Sequence, residues 1–469
     1  MGHTDPMGGA KPLSVGQEGL WLLHKLAPDS ATYNLAGGVR MEPAPDPEVL
    51  ARAARALTER HPMLRSVYVE GDGGPRRVVK DPGETGELVV REVPDADDAE
   101  LDRLVAAEAG TPFRLSEEGP FRVVLWRRRA DAVLLALTHH IATDAISQWL
   151  LWRDLLAAYE AFAQGREWEL PPTAVTYDHF VEAERDLLAS SRGERQAEFW
   201  REQVAGSAPG ELLTDKPRPA TASFSGASLV RRLPDELAER LKRAAAEQEV
   251  SQFALALGAL QALINRWTGQ TDFLVACPAS VRRSSAKDVV GYYVNPVLIR
   301  AVLDRQATLG EVTAAANDRL RQATARSTYP YPLVAQAAAA NGSADGPLYR
   351  ISMTMVTTDR FGSDLGAAVA GVPLDVAGVS TTYLEIPHLE GQCDIALEVT
   401  RDVQGLTLAL RYDTALFERA TVERLFDQLI RFMTAAGDTP DRRVSRVPLT
   451  DAAEKRLLLA LGSNAGDGS

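Results

Sequence analysis

The chain has 469 residues, of which 45% are hydrophobic and 25% charged, as is typical of a folded globular protein with more than one structural unit. Its formal net charge of -13 excludes the broad basic surface that nucleic-acid binding requires. No apolar stretch reaches the ~18 residues of a membrane span, so neither nucleic acid nor a membrane is an expected partner. The two cysteines, Cys277 and Cys393, lie far apart without a C-x-x-C spacing, which favours buried, reduced thiols and a cytoplasmic location.

Helix and strand signals alternate through the first part of the chain. Asp46, followed by a proline, predicts the N-cap of a helix that runs to Arg60. Apolar, β-prone residues 121–127 and 132–138 flank a short charged segment, which predicts a β-hairpin. Apolar side chains then recur at helical spacing in residues 147–162, so a helix is predicted directly after the hairpin.

Residues 205–226 interrupt this alternation. They are rich in proline, glycine, serine and threonine, which is typical of a connection between packed units. Beyond them, strands are predicted at residues 228–233, 272–276, 394–400 and 406–412, and helices at 235–247, 251–267 and 421–433. The sequence therefore predicts an α/β (α+β) protein with two lobes of similar element order.

One short segment concentrates the residues that can carry chemistry. His139 and His140 end an apolar strand, and Asp144 precedes an apolar helix, the place where α/β proteins put reacting groups. Successive strand side chains point to opposite faces, so only one of the two histidines can face a given cavity, and no metal site is expected. The residues alone leave open a second interpretation, a packed structural histidine pair with Asp144 as a helix cap.

The segment resembles the His-His-x-x-x-Asp-Gly-x-Ser signature of the condensation domains of nonribosomal peptide synthetases, members of the chloramphenicol-acetyltransferase-like superfamily. Ala145 stands where the family usually has glycine. Further similar segments follow the order of the family's motifs and cover nearly the whole chain: residues 13–21, 60–68, 177–180, 214–219, 278–282, 290–295, 347–349 and 449–461. Near residues 326–334 the resemblance is poor, and no role is assigned to that segment.

The resemblance implies a fold of two chloramphenicol-acetyltransferase-like lobes that form a V-shaped pseudo-dimer with a central tunnel. It also implies boundaries for the parts. Residues 1–12 are expected to be a tag or linker, 13–175 the N-terminal lobe with the histidine motif, and 176–226 the interlobe connection. Residues 227–448 are expected to form the C-terminal lobe, and 449–469 a linker toward a following domain.

The implied activity is amide bond formation, in which the amine of a carrier-bound aminoacyl acceptor attacks a carrier-bound acyl or peptidyl thioester donor. An upstream donor and a downstream acceptor carrier protein, peptidyl or acyl, are the implied partners, and an adjacent adenylation domain is expected. Both substrates would arrive on 4′-phosphopantetheine arms, with no cofactor bound to the domain itself. Such synthetases make antibiotics and other secondary metabolites.

The resemblance also implies roles for individual residues. His140 is expected at the reacting centre, with His139 and Asp144 as the other catalytic positions. Arg282 is expected to pair with Asp144, with Arg283 as the alternative, and Arg65 to support the motif from below. Residues expected along the substrate tunnel are Ala145, Ser147, Gly19, Trp21, Tyr293 and Asn295. The methyl group of Ala145 is expected to narrow the channel and affect substrate choice.

Two other functions stay open at this point. An acyltransferase of the same fold could form an ester, because an imidazole can serve a hydroxyl acceptor as well as an amine. A catalytically silent domain that docks carrier proteins or tailoring enzymes is the second alternative, although the intact histidine motif argues against it.

Overall fold

The computed structural model describes residues 9–219, 225–340, 342, 346–357, 368, 371–384, 386, 393–402 and 405–450. The helices within these ranges are α1 (Val15–Leu26), α2 (Pro47–Arg60), α3 (Asp98–Ala109), α4 (Ala145–Ala163), α5 (Tyr177–Leu188), α6 (Ser191–Val204), α7 (Asp235–Glu247), α8 (Gln252–Thr268), α9 (Leu309–Thr324), α10 (Tyr331–Ala340) and α11 (Arg419–Asp438). The strands are β1 (Lys11–Pro12), β2 (Asn34–Glu42), β3 (Ser66–Gly71), β4 (Gly74–Val79), β5 (Leu88–Glu92), β6 (Phe121–Arg127), β7 (Ala132–His139), β8 (Ala208–Pro209), β9 (Gly226–Arg232), β10 (Asp272–Ser280), β11 (Val294–Val302), β12 (Ile351–Thr357), β13 (Leu374–Val376), β14 (Val379–Leu384), β15 (Ile395–Asp402) and β16 (Gly405–Asp413).

The first lobe is built on a sheet whose described strands follow the order β13-β14-β2-β7-β6-β5. β6 and β7 form the predicted hairpin, with Phe121 opposite Thr138. β7 is buried along its whole length, as its uninterrupted apolar sequence requires. The predicted cap of α2 is confirmed, because the Asp46 carboxylate accepts hydrogen bonds from the backbone amides of Glu48 and Val49. A small separate sheet, β1-β4-β3, lies beside this lobe.

The second lobe has a sheet of order β11-β10-β12-β15-β16-β9, and β8 also pairs with β10. Its strands alternate along their length: Leu408 and Leu410 of β16 pack into the core, while Thr407 and Ala409 face the opposite side. On the core side α8 contacts α7, α9 and α11, which explains why α8 is apolar all round. The predicted elements of this lobe are confirmed, and α7 has the predicted bounds.

The two lobes share a sheet. β13 and β14, here called the strap, come from residues 374–384 in the second half of the chain but pair within the first-lobe sheet. β14 runs antiparallel to β2, with Thr381 opposite Met41 and Tyr383 opposite Val39. The range 227–448 expected for the C-terminal lobe therefore supplies two strands to the other lobe. The strap joins this sheet because β2 would otherwise be an open edge, and β14 pairs with the backbone donors and acceptors of β2.

Several expectations concern the chain ends, the cysteines and membrane association. Residues 1–8 and 451–469 lie outside the described residues, so most of the expected tag and most of the C-terminal linker do as well. Cys277 is buried as expected, but Cys393 is only half-buried, which corrects the expectation of two buried thiols. No helix in the part of the chain that the structure describes is long and apolar enough to cross a bilayer.

Candidate active site

The histidine pair ends β7 with its two side chains on opposite faces. The backbone amide of His139 donates to the Pro120 carbonyl at 2.9 Å, and that of His140 donates to the Tyr33 carbonyl at 2.8 Å. These bonds fix the alternation at the end of the strand, so one ring enters the core of the first lobe and the other faces away from it. The two histidines therefore have different environments although they are adjacent in sequence.

His140 lines a cavity of about 550 Å³ between the lobes. Its Nδ1 lies 2.7 Å from the Thr143 carbonyl oxygen, and because a carbonyl can only accept, Nδ1 carries the proton. In the neutral ring Nε2 then holds the free lone pair, and among the described residues nothing hydrogen-bonds to it. Burial lowers the pKa of His140, against the opposing effects of the Thr143 hydrogen bond and the Asp144 carboxylate. The ring is thus a neutral base at pH 7.

His139 is placed away from this cavity. Its ring is 4% exposed and packs against the edge of Phe113, with centroids 6.2 Å apart. Its Nδ1 accepts a hydrogen bond from the Ile141 amide, and burial, followed by the neighbouring histidines His24 and His140, lowers its pKa well below the usual value. The expected catalytic role of His139 is corrected on this geometry, because the ring supports the loop after β7 and cannot reach a substrate in the interlobe cavity.

Tyr292 holds the imidazole of His140 from the side. The two rings meet edge to face, with centroids 5.2 Å apart and planes at 83°. The Tyr292 carbonyl accepts a hydrogen bond from the Tyr177 hydroxyl at 3.0 Å, and the same hydroxyl lies 3.0 Å from Ser14 Oγ. A Cβ at Gly16 of α1 would lie 2.7 Å from Tyr292 Cε1, so the absence of a side chain there lets the ring fit.

Asp144 binds the two lobes together at the start of α4. Its Oδ1 accepts the Ser147 amide at 2.7 Å as an N-cap and the Arg282 guanidinium at 2.9 Å, and its Oδ2 accepts the Tyr293 amide at 3.2 Å. The side chains of Asp144 and Arg282 are each 5% exposed. The expected pairing with Arg282 is therefore present, whereas Arg283 makes no contact with Asp144 among the described ion pairs.

The same network extends through Arg282 and Ser147. The guanidinium also donates to Ser147 Oγ at 2.8 Å and to the carbonyls of Ala286 and Val289, and it lies over the Tyr293 ring at 4.2 Å. Ser147 Oγ in turn donates to the Gly291 carbonyl at 2.9 Å. Asp144 and Arg282 thus fix the position of the start of α4 relative to the second half of the chain. Neither residue is in contact with the cavity where a substrate would react.

Arg65 does not support the histidine motif. Its guanidinium donates to the carbonyls of Thr58 and Lys80. The expected support comes instead from Gln17, whose Nε2 donates to the Ile141 carbonyl at 2.7 Å and whose side chain is fully buried. The sequence contains a signal for this role, because Gln17 belongs to the first motif-like segment of the chain.

Of the residues expected along the tunnel, Ala145 lines the interlobe cavity. Ser147 and Tyr293 belong to the buried network around Asp144. Asn295 is also internal: its amide donates to the carbonyls of Ser327 and Tyr329 and accepts the Tyr331 amide, each at 2.8 Å. These three side chains are structural, since every one is held by contacts within the protein.

Gly19 and Trp21 lie on α1, outside the interlobe cavity. A Cβ at Gly19 would lie 3.2 Å from Pro332, so this glycine allows α1 and α10 to pack closely. The Trp21 indole donates to Glu70 at 2.8 Å and lines a separate surface cavity of about 400 Å³. Their expected place in the tunnel is therefore corrected to helix packing and a second depression on the first lobe.

The cavity is lined by residues that the sequence does not single out. Gln148, Trp149, Trp152 and Leu156 of α4 form much of its first-lobe wall. The Gln148 amide nitrogen donates to the Thr143 and Thr138 hydroxyls, which ties the helix to the motif loop. Helical periodicity identifies these positions as one face of α4, but it does not distinguish a core from a cavity. No group of three or more potential metal ligands occurs in the described residues.

The two-lobed fold is shared with solved structures of condensation-type domains. The X-domain from teicoplanin biosynthesis matches with a TM-score of 0.83 and 24% identity over 95% of this chain and 99% of that one. The first condensation domain of the CDA synthetase matches with a TM-score of 0.76 and 20% identity over 95% and 100%. A sequence model of the Condensation domain family matches residues 8–459. The chain belongs to this family, the condensation domains of nonribosomal peptide synthetases.

Two relatives are much longer proteins. Phosphinothricin tripeptide synthetase PhsC of Streptomyces viridochromogenes is 31% identical over 467 residues, which cover 98% of this chain and 42% of that protein. A linear gramicidin synthase from Brevibacillus parabrevis is 30% identical over 456 residues, which cover 96% of this chain and 9% of that protein. The chain thus spans less than half the length of these relatives.

Proposed function

We propose that the chain joins two carrier-bound substrates through an amide bond. The observation that carries the proposal is the state of His140: its Nδ1 proton is held by the Thr143 carbonyl, and its Nε2 lone pair is left free in a cavity between the lobes. A neutral imidazole oriented in this way can accept a proton or hold an amine in line.

The reaction makes one bond and breaks another. The acceptor amine attacks the carbonyl carbon of the donor thioester, and the tetrahedral species carries a protonated nitrogen that must lose its proton. The carbon–sulfur bond then breaks, and the donor's phosphopantetheine thiol leaves. An α-amine has a pKa of about 7.7–8.0, so part of it is already neutral at pH 7, and His140 Nε2 can take the proton that attack releases.

Positioning is expected to contribute more to the rate than proton transfer. General-base help supplies ~10²–10⁴ in rate, whereas orienting two tethered reactants supplies effective molarities of ~10⁵ M or more. The Asp144–Arg282 pair and the Tyr292 ring serve this purpose, because they hold the motif loop and the imidazole in one geometry. His140 is the proposed catalytic residue, and Asp144, Arg282 and Tyr292 are proposed positioning residues.

The proposed partners are the carrier proteins of an assembly line. The relatives are multidomain synthetases, which supports a donor carrier, an acceptor carrier and an adjacent adenylation domain as neighbours of this domain. Both substrates would enter on 4′-phosphopantetheine arms, and the domain would need no bound cofactor. The two arms would then meet at His140, in the cavity between the lobes.

The test is intact-mass measurement of an acceptor carrier after incubation with this domain and a loaded donor carrier. We expect the acceptor to gain the donor's acyl mass when it carries an aminoacyl group. Transfer to a hydroxyacyl acceptor and not to the aminoacyl one would replace the proposal with ester formation. No transfer to either, with carriers that are active in a known condensation reaction, would favour a docking domain, as a solved complex of the teicoplanin X-domain with OxyB suggests for that relative.

A further inference from the structure

We infer that Glu184 is a positioning residue for the proposed reaction, because its carboxylate holds the first turn of α1 and that turn holds the loop after β7, which carries His140. The inference rests on the proposed function, since it concerns the same imidazole. Glu184 lies on α5 beyond the motif-like segment 177–180, and it is only 9% exposed. Burial of a carboxylate is unfavourable unless it has a partner, so the contacts of Glu184 indicate its role.

The carboxylate of Glu184 meets α1 at its N-terminus. Its Oε1 accepts the Val15 amide at 2.7 Å, and Val15 is the first residue of α1. The first amides of a helix have no carbonyl partner within the helix, and a negative charge beside them is favourable. The side chain of the N-cap Ser14 serves the Gln17 amide, so the Val15 amide depends on a residue from another helix. The start of α1 is therefore fixed relative to α5.

The first turn of α1 is in turn bonded to the loop after β7. The Gln17 side chain connects the two: Oε1 accepts the Ser14 amide at 3.2 Å, and Nε2 donates to the Ile141 carbonyl at 2.7 Å. Ile141 directly follows His140 in the chain. Gln17 and Glu184 are both buried, so these hydrogen bonds form in a low-dielectric environment where they are strong. A displacement of the first turn would therefore be transmitted to the residue beside His140.

A second connection runs from the same helix to the His140 ring. Tyr177, also on α5, places its hydroxyl 3.0 Å from Ser14 Oγ and donates to the Tyr292 carbonyl at 3.0 Å. The Tyr292 ring packs against the His140 imidazole. Helix α5 thus holds the start of α1 through Glu184 and the partner ring of His140 through Tyr177. Loss of the Glu184 contact would loosen one of these two attachments.

The charge of Glu184 changes close to neutral pH. Burial raises the pKa of this carboxyl group to about 7, and Glu18 of α1 adds to this effect, whereas the Val15 amide and Arg185 oppose it. Arg76 of β4 faces Glu18 and acts on that carboxylate in the opposite direction to burial. Two tyrosine hydroxyls also lie near Glu184, those of Tyr177 and Tyr292. The charged form of Glu184 is therefore present at pH 8 and largely absent at pH 6.

Ionisation of Glu184 has opposite effects on the hydrogen bond and on the stability of the fold. An ionised oxygen accepts a hydrogen bond about twice as strongly as a neutral one, so the contact with Val15 should tighten as pH rises through about 7. The folded pKa is above the ordinary value of 4.5, so the stability that protonated Glu184 contributes is fully present below pH 4.5 and is lost as pH rises toward 7. At pH 8 the charge lowers stability while it strengthens the contact, which separates positioning from a role in stability alone.

The first measurement is the single-turnover rate of amide formation at pH 6 and at pH 8. Glu184→Gln keeps an oxygen acceptor for the Val15 amide but carries no charge. We expect the wild type to react about threefold faster than Glu184→Gln at pH 8 and at the same rate at pH 6. Thermal unfolding at pH 8 should show that Glu184→Gln is at least as stable as the wild type. Glu182→Gln, at an exposed position of the same helix, is the matched control and should follow the wild type at both pH values.

The second measurement observes the His140 ring without any reaction, by nitrogen NMR of the full chain labelled at histidine. The His140 signals are identified by their loss in His140→Ala. We expect one neutral tautomer, with the proton on Nδ1, in the wild type at pH 8 and a mixture of both tautomers in Glu184→Ala. His61 bonds to Asp154 of α4 at 2.8 Å and serves as the internal reference, whose signals should stay unchanged.

Three results would overturn the inference. They are a ratio of wild-type to Glu184→Gln rates that is the same at pH 6 and pH 8, a Glu184→Gln protein less stable than the wild type at pH 8, and identical His140 signals in the wild type and Glu184→Ala. The rates and stability of Glu184→Gln decide alone if Glu184→Ala does not fold. If no protein forms the amide, the proposed function fails, and the nitrogen spectra still decide the role of Glu184.

Discussion

At the scale of single residues, two hydrogen bonds give the adjacent histidines different proton positions. The Thr143 carbonyl fixes the proton of His140 on Nδ1, whereas Nδ1 of His139 accepts the Ile141 amide and must be unprotonated. The two rings therefore have opposite tautomers in their neutral forms. Strand alternation at the end of β7 produces this difference, and it leaves Nε2 of His140 available on the cavity side.

His139 is expected to make stability depend on pH. Its pKa is lowered well below 6.5 by burial and by the neighbouring histidines, so the unfolded chain binds a proton at this residue before the folded protein does. The contribution of the neutral His139 ring to the free energy of unfolding is fully present above pH 6.5. It is lost as pH falls below that value, by about 1.4 kcal/mol per pH unit. His139→Asn, which keeps an acceptor for the Ile141 amide, should not show this loss.

The measurement is the free energy of unfolding from urea titrations of both proteins between pH 5 and pH 8. The wild type should lose stability relative to the variant as pH decreases from 6.5. A difference between the two that is constant over this range would show that His139 is not buried as a neutral ring.

Asp144→Ala should lower stability strongly. The substitution leaves the Arg282 guanidinium buried without its carboxylate, which typically costs ~3–5 kcal/mol, and it also removes the N-cap of α4. Thermal unfolding and the yield of soluble protein measure the effect. Asp95→Ala is the control, since Asp95 and Arg129 are 80% and 74% exposed and such a pair contributes ~0–1 kcal/mol. An Asp144→Ala protein as stable as the Asp95→Ala protein would refute the structural role.

At the scale of elements, α1 and α5 support the His140 ring through Tyr292. Tyr177 of α5 bonds to the Tyr292 carbonyl, and Gly16 of α1 leaves room for the Tyr292 ring against His140. This arrangement connects three segments that are distant in sequence. The position of the imidazole therefore depends on helix packing as well as on the strand that carries it.

Gly16→Ala tests this support. Alanine in a helix is ordinarily favoured over glycine by about 1 kcal/mol, but here its methyl group would lie 2.7 Å from Tyr292 and push that ring toward His140. We expect the single-turnover rate to fall by roughly ten- to a hundredfold, since small displacements of reacting groups have effects of that size. Gly346→Ala, where an added Cβ meets nothing within 4 Å, should retain the wild-type rate. Equal rates for both variants would contradict the proposed support.

Elements whose boundaries depend on local chemistry were predictable from the sequence. The cap at Asp46, the hairpin of β6 and β7 and the bounds of α7 all follow from short-range patterns. The site was predictable only in part. The family resemblance predicted the Asp144–Arg282 pair, but it misplaced Arg65, because a guanidinium on a long side chain can reach many carbonyls and sequence does not say which.

At the scale of the whole molecule, the lobes are joined by the strap and by the Asp144–Arg282 pair. The strap could not be predicted, because β14 has the same alternating pattern whichever sheet it joins, and its pairing with β2 is decided by an available edge far away in sequence. The residues that line the cavity could not be predicted for a similar reason. The face of β16 with Thr407 and Arg411 has the pattern of a solvated surface, and it lines a cavity only because the first lobe lies opposite.

The joined lobes also bear on the proposed reaction. In that proposal the two substrates meet in the cavity, and the buried pair holds the motif loop in place. Most of the rate advantage is then expected from orientation, and the remainder from the proton that Nε2 accepts.

The proposed role of His140 is best tested by the single-turnover rate of amide formation with His140→Ala, measured by rapid quench with loaded donor and acceptor carriers. We expect the rate to fall by ~10²–10⁴ while the protein stays folded. His179→Ala, which removes an exposed histidine on α5, should react like the wild type. A His140→Ala protein that forms the amide at a rate close to that of the wild type would contradict this role.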